Sequence, residues 1–245
     1  MYGIYIHIPF CKQACSYCDF HFSTNQKLQT DLTSALCAEI ESRQNELTTD
    51  LDTIYFGGGS PSILTNTNLS LIFTALRGSF DLSKVREITL ESNPDDHSAA
   101  QLDFWRSLGI NRLSIGIQSF IERDLTLMNR AHTAAEAGDC VVNAKRAGFE
   151  KLTIDLIYGI PNQSLAEWEE NIRRAIDLNT DHISAYCLTI EDKTALSHQI
   201  KKGDLIEKSD EDIEAEYLLL CKLLAAAGFD HYEISNFAKP NHYAV

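Results

Sequence analysis

Cysteines at positions 11, 15 and 18, in the stretch PFCKQACSYCDF, have C-x3-C-x2-C spacing and directly follow the apolar run YGIYIHI. Thiols this close on one loop suit metal binding, because a short loop can turn its sulfurs toward one place. Three are one too few for a closed zinc site, which takes four ligands, usually as two separated pairs. No second pair occurs, although His7 or His21 could complete a set. They are also one short of a four-cysteine ferredoxin cluster, since Cys37, Cys140, Cys187 and Cys221 fall in predicted helices or a strand and read as small buried apolar residues. A [4Fe–4S] cube on three cysteines leaves one iron open to an outside ligand, which makes a chemical site rather than an electron wire. Spacing alone leaves zinc and free thiols as alternatives.

Other residues gather into the same pattern. FGGGSP, from Phe56, could be only a tight strand-to-helix turn; beside a metal loop, its missing side chains would admit a ligand to the backbone, which makes Gly58, Gly59 and Ser60 binding candidates. Glu91 ends an apolar strand. Asp155 interrupts LTIDLIYGI, a strand otherwise fit for full burial, and an acid there needs a hydroxyl, a cation or a helix cap. His7, inside the first strand, reads as a satisfied core histidine, and LIEKSDEDIEAE as a solvated helix start.

Such residues need elements to position them. Strand-like runs at Tyr2–Pro9, Thr53–Phe56, Glu87–Glu91, Arg112–Ile117, Lys151–Ile157 and His182–Leu188 alternate with helical patterns at Asp31–Glu46, Leu69–Leu76, Ala99–Leu108, Ala134–Ala147 and Leu165–Leu178. Gly109, Gly148 and Gly228 stand where helices close. Six βα units predict an α/β fold with a parallel sheet, and Cys11 to Cys18, Gly57 to Ser60, Glu91, Gln118 and Thr189 all fall at or just after strand C-terminal ends, the rim on which barrels build their sites. The expectation is a partial (β/α)6 TIM-like barrel over residues 1–190, with residues 191–245 beginning an extension. That extension reads as one helix, then a short strand and a loop. With no capping helix after it, a longer natural protein is expected to continue beyond Val245.

Composition bounds the partners. The 245 residues, 44% of them hydrophobic, can bury a large core, and seven cysteines without a secretory signal point to free thiols in a reducing, cytoplasmic setting. A net charge of −14 argues against nucleic acid, and no stretch is apolar enough to span a membrane, which leaves peripheral membrane contact open.

YIHIPFCKQACSYCDF, IYFGGGSPSIL, LESNPDD, LSIGIQSF with LMNRAH, and IDLIYGIPNQS, in this order, resemble the radical S-adenosylmethionine (SAM) superfamily, and within it the HemN/HemW branch. The resemblance implies a [4Fe–4S] cluster on Cys11, Cys15 and Cys18, whose fourth iron is chelated by SAM and whose electron cleaves SAM to a 5′-deoxyadenosyl radical. It places Tyr5, Tyr17, Gly58, Gly59, Ser60, Glu91, Gln118, Arg130, Asp155 and Thr189 at SAM-contacting positions. The oxygen-independent coproporphyrinogen III oxidases of the branch resemble C-x3-C-x2-C-x-C, whereas Phe20 stands here at the last cysteine. That difference, with YCLTIED and HYEISNFAKP, is similar to the heme-chaperone type. The implied cargo is heme, the implied partners are heme-acceptor proteins and an electron donor such as flavodoxin or ferredoxin, and no catalytic side chain is implied. His21, His231 and His242 are conceivable heme ligands that no spacing distinguishes.

Overall fold

The computed structural model describes residues 2–47 and 49–244. Met1, Thr48 and Val245 lie outside the described residues, and with them the outer limits of the expected 1–190 and 191–245 units.

Six strands, β1 (Tyr2–Ile8), β2 (Leu51–Gly58), β3 (Glu87–Ser92), β4 (Arg112–Gln118), β5 (Lys151–Tyr158) and β6 (His182–Cys187), pair in sequence order, all parallel. The helices between them are α1 (Gln29–Ser42), α2 (Asn66–Ser79), α3 (Ala99–Leu108), α4 (Glu122–Leu127), α5 (Ala134–Arg146) and α6 (Leu165–Asp177). After β6 come α7 (Ala195–Lys202), α8 (Asp210–Ala226), β7 (Asp230–Glu233) and β8 (Asn236–Ala238). The sheet order is β1-β2-β3-β4-β5-β6-β8-β7, and β1 and β7 are its two edges, so the sheet is an open, partial barrel.

Period-two alternation explains the shape. On one face, Ile6, Ile54, Phe56, Leu90, Leu113, Ile115, Ile154 and Ile183 pack under the helices with Phe73, Trp105 and Trp168, all deeply buried. On the other, register brings Tyr5 beside Tyr55, Glu91 beside Ser114, and Asp155 beside Ser184. The lumen is therefore polar where ordinary barrels fill it with branched apolar side chains. Caps fix the helix starts: Thr133 with Glu136 and Ser164 with Glu167 form capping boxes on α5 and α6. Gly109, Gly148 and Gly228, at φ of 102°, 86° and 83°, end α3, α5 and α8 in the left-handed conformation.

Several expectations are corrected. The tail holds two antiparallel strands rather than one, and β8 extends the sheet at β6. Helices α4 and α7 carry only six and eight residues, too few for a periodic pattern to emerge. The charge run ending at Glu216 is not wholly solvated, because Glu216 is buried, pairs with Lys208 and accepts from the Gly159 amide at 2.8 Å. His7 is exposed, not a core histidine, because β1 is an edge strand and turns it into the open lumen.

Candidate functional site

The three cysteines leave β1 on a loop that neighbouring rim segments hold down. Ser16 donates from its amide to Met128 O at 3.0 Å and from its hydroxyl to Leu127 O at 2.7 Å, and its own carbonyl accepts from Leu196 N at 2.8 Å. Gln13 donates to Asn129 O at 2.8 Å, and Asn129 returns a bond to Ala14 O at 2.7 Å. On the other flank Lys12 pairs with Asp95 at 2.5 Å and with Asp96. These bonds brace the loop from both flanks, and none of its three cysteines is in a disulfide.

The glycine turn supports this loop. Gly59 N donates to Ile8 O at 2.8 Å and Ser60 N to Phe10 O at 2.7 Å. A Cβ at Gly59 would lie 2.5 Å from Phe10 O and 3.0 Å from Cys11 Sγ, and one at Gly58 would meet the His7 ring at 2.6 Å. Gly58 also sits at φ 114°, where side chains are strained. Glycine is needed here first to let the turn lie against β1 and the cysteine loop.

Above them opens a cavity of about 580 Å³ at the C-terminal ends of the strands. Cys11, Cys15 and Cys18 line it with Tyr17, Gly58, Gly59, Ser60, Glu91, Gln118, Arg130, Asp155 and Thr189. Tyr5 does not. It is 58% exposed, and its hydroxyl lies 3.1 Å from His7 Nδ1. His21, His231 and His242 also lie outside the cavity lining: His231 stacks on Phe237 at 4.3 Å, and His242 faces Asp181 at 3.5 Å.

Electrostatics divides the lining in two. Glu91 accepts from Tyr55 OH at 2.8 Å and from Gly58 N at 3.1 Å, yet burial still raises its pKa. Asp155 has Ser114 Oγ 3.4 Å from both carboxylate oxygens, so a hydroxyl answers it; burial, then repulsion from Glu91, push it up to about 7. Opposite these acids, Arg130 donates to Cys15 Sγ at 3.3 Å, Asn93 Oδ1 at 2.6 Å and Gly116 O at 2.9 Å, while its buried Nε has no partner. Burial pushes the Cys11 and Cys18 thiols up, and the nearby Arg130 guanidinium opposes that rise.

The residues fit an iron–sulfur cluster. Cys11, Cys15 and Cys18 all line the one cavity, and a cube takes one thiolate per iron, so three thiols would leave one iron for a ligand in that cavity.

Residues 5–175 match the sequence profile described as the radical SAM superfamily. The chain belongs to that superfamily. It is 37% identical over 239 residues to heme chaperone HemW of Lactococcus lactis, covering 96% of this chain and 62% of that protein. It is 31% identical to radical S-adenosyl methionine domain-containing protein 1, mitochondrial, of Danio rerio, over 98% of this chain and 54% of that protein. The coproporphyrinogen III oxidase HemN of Escherichia coli, described as a radical SAM enzyme, superposes with a TM-score of 0.88 at 29% identity, over 98% of this chain and 56% of that one. The chain thus spans about three-fifths of the length of curated HemW relatives that it matches.

The radical SAM cavity also contains residues that the sequence did not single out. Asn93, within LESNPDD, is one of them. Cys187, read as buried, is exposed on the cavity wall beside Tyr186 and Leu188, because the lumen is open next to β6. The alternation of polar residues along β3 to β6 was the signal for Ser114 and Ser184; a turn asparagine offers none.

Proposed function

We propose that this chain is the cluster- and SAM-binding part of a protein that binds heme and passes it to acceptor proteins in the cytoplasm. Cys11, Cys15 and Cys18 would hold a [4Fe–4S] cluster, and Gly58, Gly59, Ser60, Glu91, Gln118, Arg130, Asp155, Thr189 and Tyr17 would receive SAM. Tyr5 would join them from the open edge of the lumen. When bound, this pair supplies one-electron chemistry at an iron left open to SAM, fed by a donor such as flavodoxin or ferredoxin. The chain's own part is to orient: Glu91 holds the glycine turn through the Gly58 amide, and Arg130 holds Cys15.

The observation that favours chaperone over oxidase is Phe20. It stands where the oxidase pattern has a further cysteine, and its ring is 77% exposed on the cavity mouth rather than packed against the barrel. An exposed aromatic face there suits a flat macrocycle that must be held and released. The relatives named heme chaperone HemW in Lactococcus, Synechocystis, Bacillus and Escherichia support the same reading. The likeness to HemN keeps oxidative decarboxylation of coproporphyrinogen III as a second reading.

The test uses the full-length protein reconstituted anaerobically. Iron and sulfide should bind, Cys11→Ala, Cys15→Ala and Cys18→Ala should each abolish them, and Cys37→Ala should not. Heme should then bind on titration, and coproporphyrinogen III with SAM and a reductant should stay unconverted. Stoichiometric zinc without iron would sink the cluster, and enzymatic turnover to protoporphyrinogen would replace the chaperone by the oxidase.

A further inference from the structure

Side chains from three successive rim loops are hydrogen-bonded to one another along the cavity lining beside the thiols. Arg130 donates through one terminal nitrogen to Cys15 Sγ at 3.3 Å and through the other to Asn93 Oδ1 at 2.6 Å. Asn93 Nδ2 donates to Ser60 Oγ at 2.9 Å, and Ser60 and Cys11 share the cavity lining. We propose that Asn93 is a positioning residue for the cluster: it holds together the hydrogen-bonded chain Cys15–Arg130–Asn93–Ser60, which sets a donor against Cys15 Sγ and leaves the Ser60 hydroxyl proton for Cys11 Sγ.

The chain has a fixed polarity. A guanidinium offers only donors, so the Asn93 oxygen must face Arg130 and its NH2 must face Ser60. A hydroxyl that accepts from Asn93 keeps its own proton for Cys11. Each of the two sulfurs therefore has a donor available, and aspartate or leucine at position 93 could not arrange this, the first lacking a donor and the second lacking both functions. Gly116 clears the path: a Cβ there would stand 3.2 Å from the Arg130 terminal nitrogen and 3.7 Å from Asn93 Oδ1. Donated bonds to ligating sulfurs raise a cluster's reduction potential and hold its ligands in place.

The proposal rests on the reading of Cys11, Cys15 and Cys18 as cluster ligands, and the experiment separates the two. Full-length wild type, Asn93→Leu, Ser60→Ala and the double variant are reconstituted without SAM. The midpoint potential is read by EPR-monitored titration, and iron loss to a ferrous chelator is followed in time. Asn93→Leu should shift the midpoint negative, more than Ser60→Ala does, and should speed iron loss about tenfold. The double variant should fall short of the sum, because both changes break one chain. Midpoints and iron-loss rates that stay at wild-type values, or effects that simply add, overturn the proposal while leaving the cluster standing. Where Asn93→Leu lowers thermal stability, Ser60→Ala alone decides, since it deletes one oxygen. A wild type that takes up no iron instead sinks the cluster, and this proposal with it.

Discussion

Arg112 and Arg130 each carry a guanidinium into the interior, one at the floor of the lumen and one at its rim. At the floor, Arg112 is 5% exposed, donates to Thr153 Oγ1 at 2.5 Å and faces Glu87 at 3.8 Å, while Glu87 also takes Lys151 at 3.3 Å and Thr89 at 3.3 Å. His182 and Tyr232 complete that layer with a 2.7 Å bond. At the rim, Arg130 has a sulfur, an amide oxygen and a carbonyl as partners, no ion-paired carboxylate among the described residues, and a spare buried N–H. A buried charge answered by its own counter-charge serves the fold, whereas one turned toward thiols and a cavity is held ready for a ligand.

The sharpest way to break this contrast is to remove each arginine. Arg112→Ala leaves Glu87 buried with only Lys151 opposing it, and should cost about 3–5 kcal/mol in urea unfolding. Arg130→Met, which strands neutral groups only, should cost about 1–2 kcal/mol yet abolish tight SAM binding. Equal losses of stability would show that the two ends do the same work.

The rim was largely legible from sequence and the floor was not. Cysteine spacing, a glycine run and acids ending apolar strands are local signals, so Cys11 to Cys18, Gly58 and Glu91 could be picked out one at a time. The strands were legible because β-branched and aromatic residues repeat between glycine-closed helices. Glu87, Arg112 and Thr153 each look ordinary at a strand start, and only the parallel register, setting Arg112 beside Thr89 and Lys151, makes them one cluster. Asn93 was hidden for the same reason: its partners, Ser60 and Arg130, belong to other loops.

A middle-sized effect sharpens the comparison through pH. Burial and Glu91 raise Asp155 to about 7, against about 3.9 in an unfolded chain. Between pH 4 and 7 the folded state thus keeps a proton that the unfolded state has lost, so this group's contribution to stability falls as pH rises through that window and is flat above it. Buried His97, His132 and His182, with pKa values lowered to about 4, 4 and 3, work in the opposite direction over the acid part of the range. The difference between wild type and Asp155→Asn isolates the carboxyl. The variant should gain on the order of 2 kcal/mol relative to wild type from pH 4 to 7. A pH-independent difference would mean that Asp155 is ionised throughout, paired with a cation in the lumen.

The smallest effect separates two phenylalanines. Phe56 is wholly buried against Phe73, their ring centroids 5.4 Å apart, while Phe20 stands on the rim at 77% exposure. Truncating a ring in the core removes its contacts and leaves a cavity, about 3–5 kcal/mol for Phe→Ala. Truncating an exposed ring removes little that water does not replace, so Phe20→Ala should change stability by less than about 0.5 kcal/mol. The measurement matters because an aromatic residue costs solubility when it is exposed, and one kept on a cavity mouth without helping the fold has to be explained by what enters the cavity. A Phe20→Ala chain destabilised as much as a core variant would show that the ring is buried in solution, and would remove the exposed aromatic face on which the proposed heme binding draws.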